Sequence, residues 1–334
     1  MLVRRFIEIA SFDAPGDAER LRKWKNELRQ RFRVEFHAWR EGGREALQDA
    51  AARTELQKLT DHVAQRLRLL ALDRGQRGNL GWPQDRFVGR EPELHRLRAA
   101  LLDAAPSALP SPIALIGIGG IGKTALALTF AAREADAFPG GRWLLRCEGH
   151  ARLDSAMRPL VQDLGIELTE REKLDDTLAA RRVLDTLRPR GPALFLLDNV
   201  DTPALLAPGS LALLSGESGL RLLVTTRLGI GTFTAAGAAV TEIDLDQLPE
   251  PDALDLIRLH QPDAAFASVA DENDAREIVR ALGGLTLAVE TAAVYLGQND
   301  PRIAEPRYAV RIADYLERLR LDLAGTGEAG DFRF

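Results

Sequence analysis

Residues 117–124 of this chain, Gly-Ile-Gly-Gly-Ile-Gly-Lys-Thr, have the types and spacing to wrap a polyphosphate, and they fit G-x-x-x-x-G-K-[ST] position by position. Phosphate oxygens bind well to backbone N–H groups at the start of a helix, where the first donors lack helical partners and the helix dipole is positive. Gly117, Gly119, Gly120 and Gly122 keep Cβ atoms out of that approach, and Ile121 and Ala125 fall within the same wrap. Lys123 would reach the β and γ phosphates as a point charge, and the Thr124 hydroxyl would ligate Mg²⁺ beside them. The stretch predicts a nucleoside triphosphate or diphosphate.

A second reading competes for the same glycines. Gly117, Gly119 and Gly122 also satisfy G-x-G-x-x-G, the dinucleotide fingerprint, and Glu148 could pose as its ribose-binding acid. That acid belongs about 20 residues past the glycines, and Glu148 lies farther on. The fingerprint also gives no reason for Lys123 and Thr124 to follow Gly122, so the phosphate loop is the preferred reading.

Such a loop needs a strand before it and a helix after it. Ile113, Ala114, Leu115 and Ile116 read as a buried strand, and Leu126, Phe130 and Ala131 share one face of the helix that Lys123 opens. Further on, residues 143–147 read as a strand, 153–164 and 174–187 as helices, and 193–197 as an apolar strand ending in Asp198. This alternation predicts a parallel sheet covered by helices on both faces. At the carboxyl edge of that sheet Asp198 would hold the hydration shell of Mg²⁺. Residues 221–227 form another strand, whose last residue, Arg227, would sit at the same edge and could sense the terminal phosphate. Upstream, Val88, Gly89, Arg90 and Glu91 lead into Pro92, which is placed to start a helix through Leu94, Leu97 and Leu101. After Asp244 the pattern changes to three helical segments, 252–260, 271–282 and 285–296, a small helical domain.

Composition narrows the function classes. The 334 residues suffice for about two domains. No apolar run approaches the ~18 residues of a membrane span, and the N-terminus lacks the apolar stretch and cleavage site of a signal peptide. A lone cysteine, Cys147, excludes an internal disulfide framework and suits a reducing, cytoplasmic setting. Residues 1–86 hold 18 Lys and Arg against 13 Asp and Glu, net +5, so the remainder carries −10 of the total −5. That asymmetry marks two units but is too mixed in sign for a direct nucleic-acid footprint. The five histidines show no metal-ligand spacing.

Residues 88–91, 117–124, 194–201 and 223–227, followed by Gly283-Gly284-Leu285-Thr286-Leu287-Ala288, together resemble the NB-ARC class of STAND ATPases over about residues 86–300. Those proteins are nucleotide-operated signalling switches of bacterial regulators, plant immune receptors and animal apoptosis scaffolds. The resemblance implies an α/β P-loop NTPase with a parallel sheet flanked by helices, followed by a small helical, ARC1-like domain. It implies that Val88, Gly89 and Arg90 border adenine and ribose, that Lys123 and Thr124 serve the phosphates and Mg²⁺, and that Asp198 is the metal-shell acid. Arg227 would sense the γ-phosphate, and Leu285, Thr286 and Leu287 would close over the base. The implied ligands are ADP at rest and ATP when active, with Mg²⁺, a signalling protein partner and a homo-oligomer formed in response to nucleotide.

Three departures from the family pattern bear on activity. Thr286 replaces the motif proline, which exchanges a rigid apolar contact for a polar one. Asn199 stands where many relatives carry a second acid, and an amide cannot act as general base for water. Asp201 is near in sequence. No histidine follows His260 and Met157 is the last methionine, so the Met-His-Asp element of the family's winged helix is absent from these residues. The expectation is an ADP/ATP-binding switch module with slow or no hydrolysis, on a chain that reads as a fragment or truncated product. An ATP-driven remodelling enzyme and a non-enzymatic nucleotide-binding scaffold remain open. The expected layout is a partial N-terminal α/β segment at 1–72, loosely TIR-like, a linker at 73–86, the nucleotide-binding domain at 87–244, the helical domain at 245–322 and a tail at 323–334.

Overall fold

The structure is a computed structural model that describes residues 78–80, 87–103, 111–217, 219–304 and 306–325. The chain divides into two compact units, Met1–Gly75 and Gln76–Phe334, and every described residue belongs to the second. The strands and helices expected between residues 3 and 72 lie outside the described residues.

Five parallel strands form the sheet: β1 (Ile113–Ile116), β2 (Gly141–Arg146), β3 (Ala193–Val200), β4 (Leu220–Thr226) and β5 (Thr241–Asp244), in the order β2-β3-β4-β1-β5. Side chains alternate across a strand, and here both sides are apolar. Ala114, Ile116, Trp143, Leu145, Phe195, Leu197, Leu222 and Val224 enter one core. Ile113, Leu115, Leu194, Leu196 and Leu223 enter the other. A parallel sheet needs both faces covered, which is why these strands read as unbroken apolar runs.

The second core is closed by α1 (Glu91–Leu101) through Leu94, Leu97 and Leu101, and by α2 (Lys123–Arg133) through Leu126, Ala127, Phe130 and Ala131. The first is closed by α3 (Asp176–Leu187) through Ala180, Val183, Leu184 and Leu187, together with Leu153, Met157 and Leu160. Asp175 caps α3 by accepting the N–H groups of Thr177 and Leu178. The single helix expected over 153–164 is two short ones, Leu153–Met157 and Pro159–Asp163, because Pro159 has no N–H to continue the ladder.

After β5 the chain forms α4 (Glu250–His260), α5 (Val269–Ala281), α6 (Thr286–Gln298) and α7 (Ile312–Gly325). Their core holds Leu254, Ile257, Ile278, Val279, Val289, Leu296 and Leu316, and Val88, which precedes α1 in the chain, packs against it. Gly297 lets α6 cross close to α4, since a Cβ there would meet the His260 carbonyl oxygen at 2.0 Å.

Part of the segment expected as linker pairs with the sheet. The Asn79 side chain accepts the Leu144 N–H at 2.5 Å and donates to the Leu144 carbonyl at 3.1 Å, so one amide satisfies both backbone groups of an edge residue in β2. It also donates to Asp163 at 2.6 Å. Unpaired edge groups invite pairing with other chains, and Asn79 occupies them. Asn79→Ala should destabilise the unit by about 1–3 kcal/mol, read as a lower urea midpoint; an unchanged midpoint would show that water replaces the amide without loss.

Candidate functional site

Residues at the carboxyl edge of the sheet line a cavity of about 420 Å³. Ile116 ends β1 and Lys123 opens α2, so the glycine loop bridges strand and helix at that edge. The tight reversal uses left-handed backbone that glycine adopts without strain, at Gly120 (φ 76°) and Gly122 (φ 101°).

Four of the loop's carbonyls, at Gly117, Ile118, Gly120 and Ile121, are hydrogen-bonded. The Lys123 ammonium donates to the Gly117 and Ile118 oxygens at 2.7 and 2.8 Å. The Leu287 N–H donates to the Gly120 oxygen at 2.9 Å, and the Thr286 hydroxyl to the Ile121 oxygen at 3.0 Å. Arg90 adds a bond to the Ile121 oxygen at 3.2 Å and another to Asp246 at 2.6 Å. No N–H group from Ile118 to Gly122 has an acceptor among the described residues. A run of orphan donors at a helix N-terminus is an anion site, so the residues present fit a polyphosphate.

Asp198 lies opposite Arg146 on β2, at a β-bulge where the β3–β4 register shifts between Leu197 and Val200. Bulges re-aim side chains beside functional sites. Asn199 takes the left-handed conformation there (φ 58°), a region Asn enters more readily than most side chains, and its N–H donates to the Thr225 hydroxyl at 2.9 Å. Asp198 Oδ1 accepts hydroxyls from both Thr124 and Thr225 at 2.7 Å. Thr124 and Asp198 are thus a pair of hard oxygen donors one hydrogen bond apart. That set suits Mg²⁺, which keeps waters and takes one or two protein oxygens beside substrate phosphates.

Arg227 projects over the loop, its Nε 3.9 Å from where a Gly119 Cβ would stand. Lys123 is 8% exposed. Burial first, and the Arg227 charge second, push its ammonium below the ordinary value of 10.5, while Asp198 acts in the opposite direction.

Of the residues singled out from sequence, Val88, Arg90, Gly119, Gly120, Ile121, Gly122, Lys123, Thr124, Ala125, Asp198, Asn199, Arg227, Thr286 and Leu287 line this cavity. Gly89, Gly117 and Leu285 do not. A Cβ on Gly89 would meet the Asp252 carboxyl at 2.5 Å, one on Gly117 would meet the Leu245 oxygen at 2.9 Å, and Leu285 packs into the core beneath the loop. Sequence reasoning missed Phe87, Arg146, Thr225, Leu248, Leu256 and Glu290, and it considered Glu148 only as a ribose ligand. For Arg146, Glu148 and Thr225 a signal existed: each stands at a strand end in phase with Asp198.

The phosphate loop, the acid-tipped neighbouring strand and the five-stranded parallel sheet define the fold of P-loop ATPases. Residues 86–224 match the AAA ATPase domain family. The fold is similar to that of the Aeropyrum pernix ORC2 protein, with a TM-score of 0.53 and 14% identity over 76% of this chain and 72% of that one. The regulatory protein AfsR of Streptomyces coelicolor is 32% identical over 241 residues, 70% of this chain and 22% of its own length. AfsR of Streptomyces griseus is 32% identical over 248 residues, 72% and 24% of the two lengths. A nucleotide-binding leucine-rich repeat (NLR)-like protein of Hyaloscypha variabilis is 25% identical over 246 residues, 70% and 23%. The chain spans less than a quarter of the length of these relatives. Among the described residues no helix is long and apolar enough to cross a membrane.

An arriving phosphate raises the depressed Lys123 pKa, so in the range between the two values binding takes up a proton. Affinity for ADP should therefore fall as pH rises toward the ordinary lysine value of 10.5. Calorimetry in buffers of different ionisation enthalpy should record that uptake, and Lys123→Met should abolish it; an uptake that persists in the variant would place the proton elsewhere.

Proposed function

We propose that residues 87–322 are the ADP/ATP-binding module of a STAND-type, NB-ARC-like signalling switch. Thr124 and Asp198 would hold Mg²⁺ and its waters beside the phosphates, and ATP hydrolysis is slow. One observation carries the reading: a single cavity is lined both by the phosphate loop and by Leu248, Leu256, Thr286, Leu287 and Glu290 of the helical layer. A ligand there touches both parts at once. A ligand shifts a conformational equilibrium only through different affinities for the two states. ATP and ADP differ at the γ-phosphate, which Arg227 would sense over the loop that also carries the bonds to the start of α6.

Several features support the finer assignment. Adenine is favoured by the apolar wall of Phe87, Val88, Leu248 and Leu256. The archaeal protein of the same fold was solved as ADPNP-ADP complexes. Similarity to regulatory AfsR and to an NLR-like protein favours signalling, with a protein partner and nucleotide-dependent self-association. Asn199 offers no base at the bulge, which favours slow turnover over a remodelling motor.

The test compares the wild type with Lys123→Ala. ADP at about 100 times its Kd should stabilise the wild type by ~2.7 kcal/mol, seen as a raised melting temperature, and should leave the variant unshifted. Phosphate release should be slow in the wild type and lost in the variant. Fast sustained turnover would favour the remodelling enzyme instead, and the absence of any nucleotide-induced shift would contradict the proposal.

A further inference from the structure

The cavity holds a carboxylate that the phosphate-binding reading leaves without a task. Glu148 lines it together with Lys123, Thr124, Asp198 and Arg227. Trp143, Leu145 and Cys147 point into the first core, so Leu144, Arg146 and Glu148 alternate onto the opposite face. Leu196 and Leu223 pack on that same face, which puts Asp198 and Thr225, two residues beyond them, on it as well. Glu148 thus shares the cavity with Asp198, on the side of the sheet that carries α2 and the phosphate loop.

The backbone under Glu148 is fixed at three points, and the His150 ring beside it at a fourth. Cys147 N–H donates to the Asp198 carbonyl at 2.9 Å, extending the β2–β3 pairing. His150 N–H donates to the Cys147 carbonyl at 3.0 Å, closing a turn with Gly149 at its third position and φ 75°. That is a type II turn, which places Glu148 at the leading corner. Asp201 accepts the Gly149 N–H at 2.9 Å, and His150 Nδ1 lies 3.0 Å from the Ser155 hydroxyl. The Glu148 carboxylate itself has no hydrogen-bond or ion-pair partner among the described residues. Asn199 is an amide on the bulge, and Asp201 is committed to the turn and does not line the cavity.

We infer that Glu148 is the carboxylate that orients and deprotonates the water attacking the terminal phosphate, and that Asp201 is its positioning residue. This rests on the nucleotide-binding reading above. The water oxygen bonds to the γ-phosphorus while the bond to the β,γ-bridging oxygen breaks. The electron pair of that bond leaves on ADP. One water proton passes to Glu148 and on to solvent, and the other stays on the released phosphate. Hydrolysis then resets the switch without a second acid after Asp198.

The experiment measures single-turnover phosphate release and calorimetric ATP binding on the full chain. Glu148→Gln, a change at an exposed turn, should lower hydrolysis by about 100-fold or more while ATP binding stays within about threefold of the wild type. Asp201→Ala should lower the rate with ATP binding kept, and Asp201→Asn, which keeps an acceptor for the Gly149 N–H, should recover it. Hydrolysis by Glu148→Gln at near wild-type rate, or a wild type that binds ATP and releases no phosphate, would overturn the inference and leave the binding reading standing. A wild type that binds neither ATP nor ADP would overturn both.

Discussion

The backbone of residues 117–124 has two sides, and the structure depends on keeping them apart. Its N–H groups are left for a ligand, while its carbonyls at Gly117, Ile118, Gly120 and Ile121 are bonded to Lys123, Leu287, Thr286 and Arg90. A free carbonyl facing phosphate would repel it, so tying these oxygens up in hydrogen bonds preorganises the donors before any nucleotide arrives. Two of those bonds come from the first residues of α6, which makes the helical layer part of the loop's geometry rather than an appendage.

That arrangement gives Thr286 a different meaning from the one suggested by its place in the motif. A proline there would lack any hydroxyl for the Ile121 carbonyl, and the threonine supplies one. The polar substitution tightens the seam between α6 and the loop, at a neutral hydrogen bond's net value of about 0.5–1.5 kcal/mol. Arg90 works on the same seam. It is 6% exposed, takes a left-handed backbone (φ 65°) at the start of α1, and joins Glu93, the loop and the chain entering α4. Asn199 is likewise explained by conformation, since the bulge requires the left-handed region that Asn tolerates.

Much of this was legible in the sequence because the signals were dense. Residues 113–130 combine a buried strand, glycines at loop spacing and a helical face, and the sheet's central strands are unbroken apolar runs. β5 escaped notice because only Ile243 of its four residues is buried, too little for a periodic pattern. α7 follows a stretch rich in proline and charge that masks its apolar positions, Ile312, Leu316 and Leu319. Asn79 looked like linker because an amide standing in for a strand leaves no trace in hydropathy. Arg146 and Thr225, which were missed, and Glu148, weighed only as a ribose ligand, lie at or just past strand ends, and the register of β2, β3 and β4 puts them on one face with Asp198.

The account is tested most directly at the Leu287 amide, whose N–H donates to the Gly120 carbonyl and so ties α6 to the phosphate loop. Its hydrogen exchange, followed with no nucleotide, with ADP and with a non-hydrolysable ATP analogue, reads that tie in each state. The account predicts protection that differs between the two nucleotides, because the γ-phosphate alters the loop on which α6 rests. Equal protection in all three states would contradict it, since the loop would then hold a ligand without the helical layer registering which one.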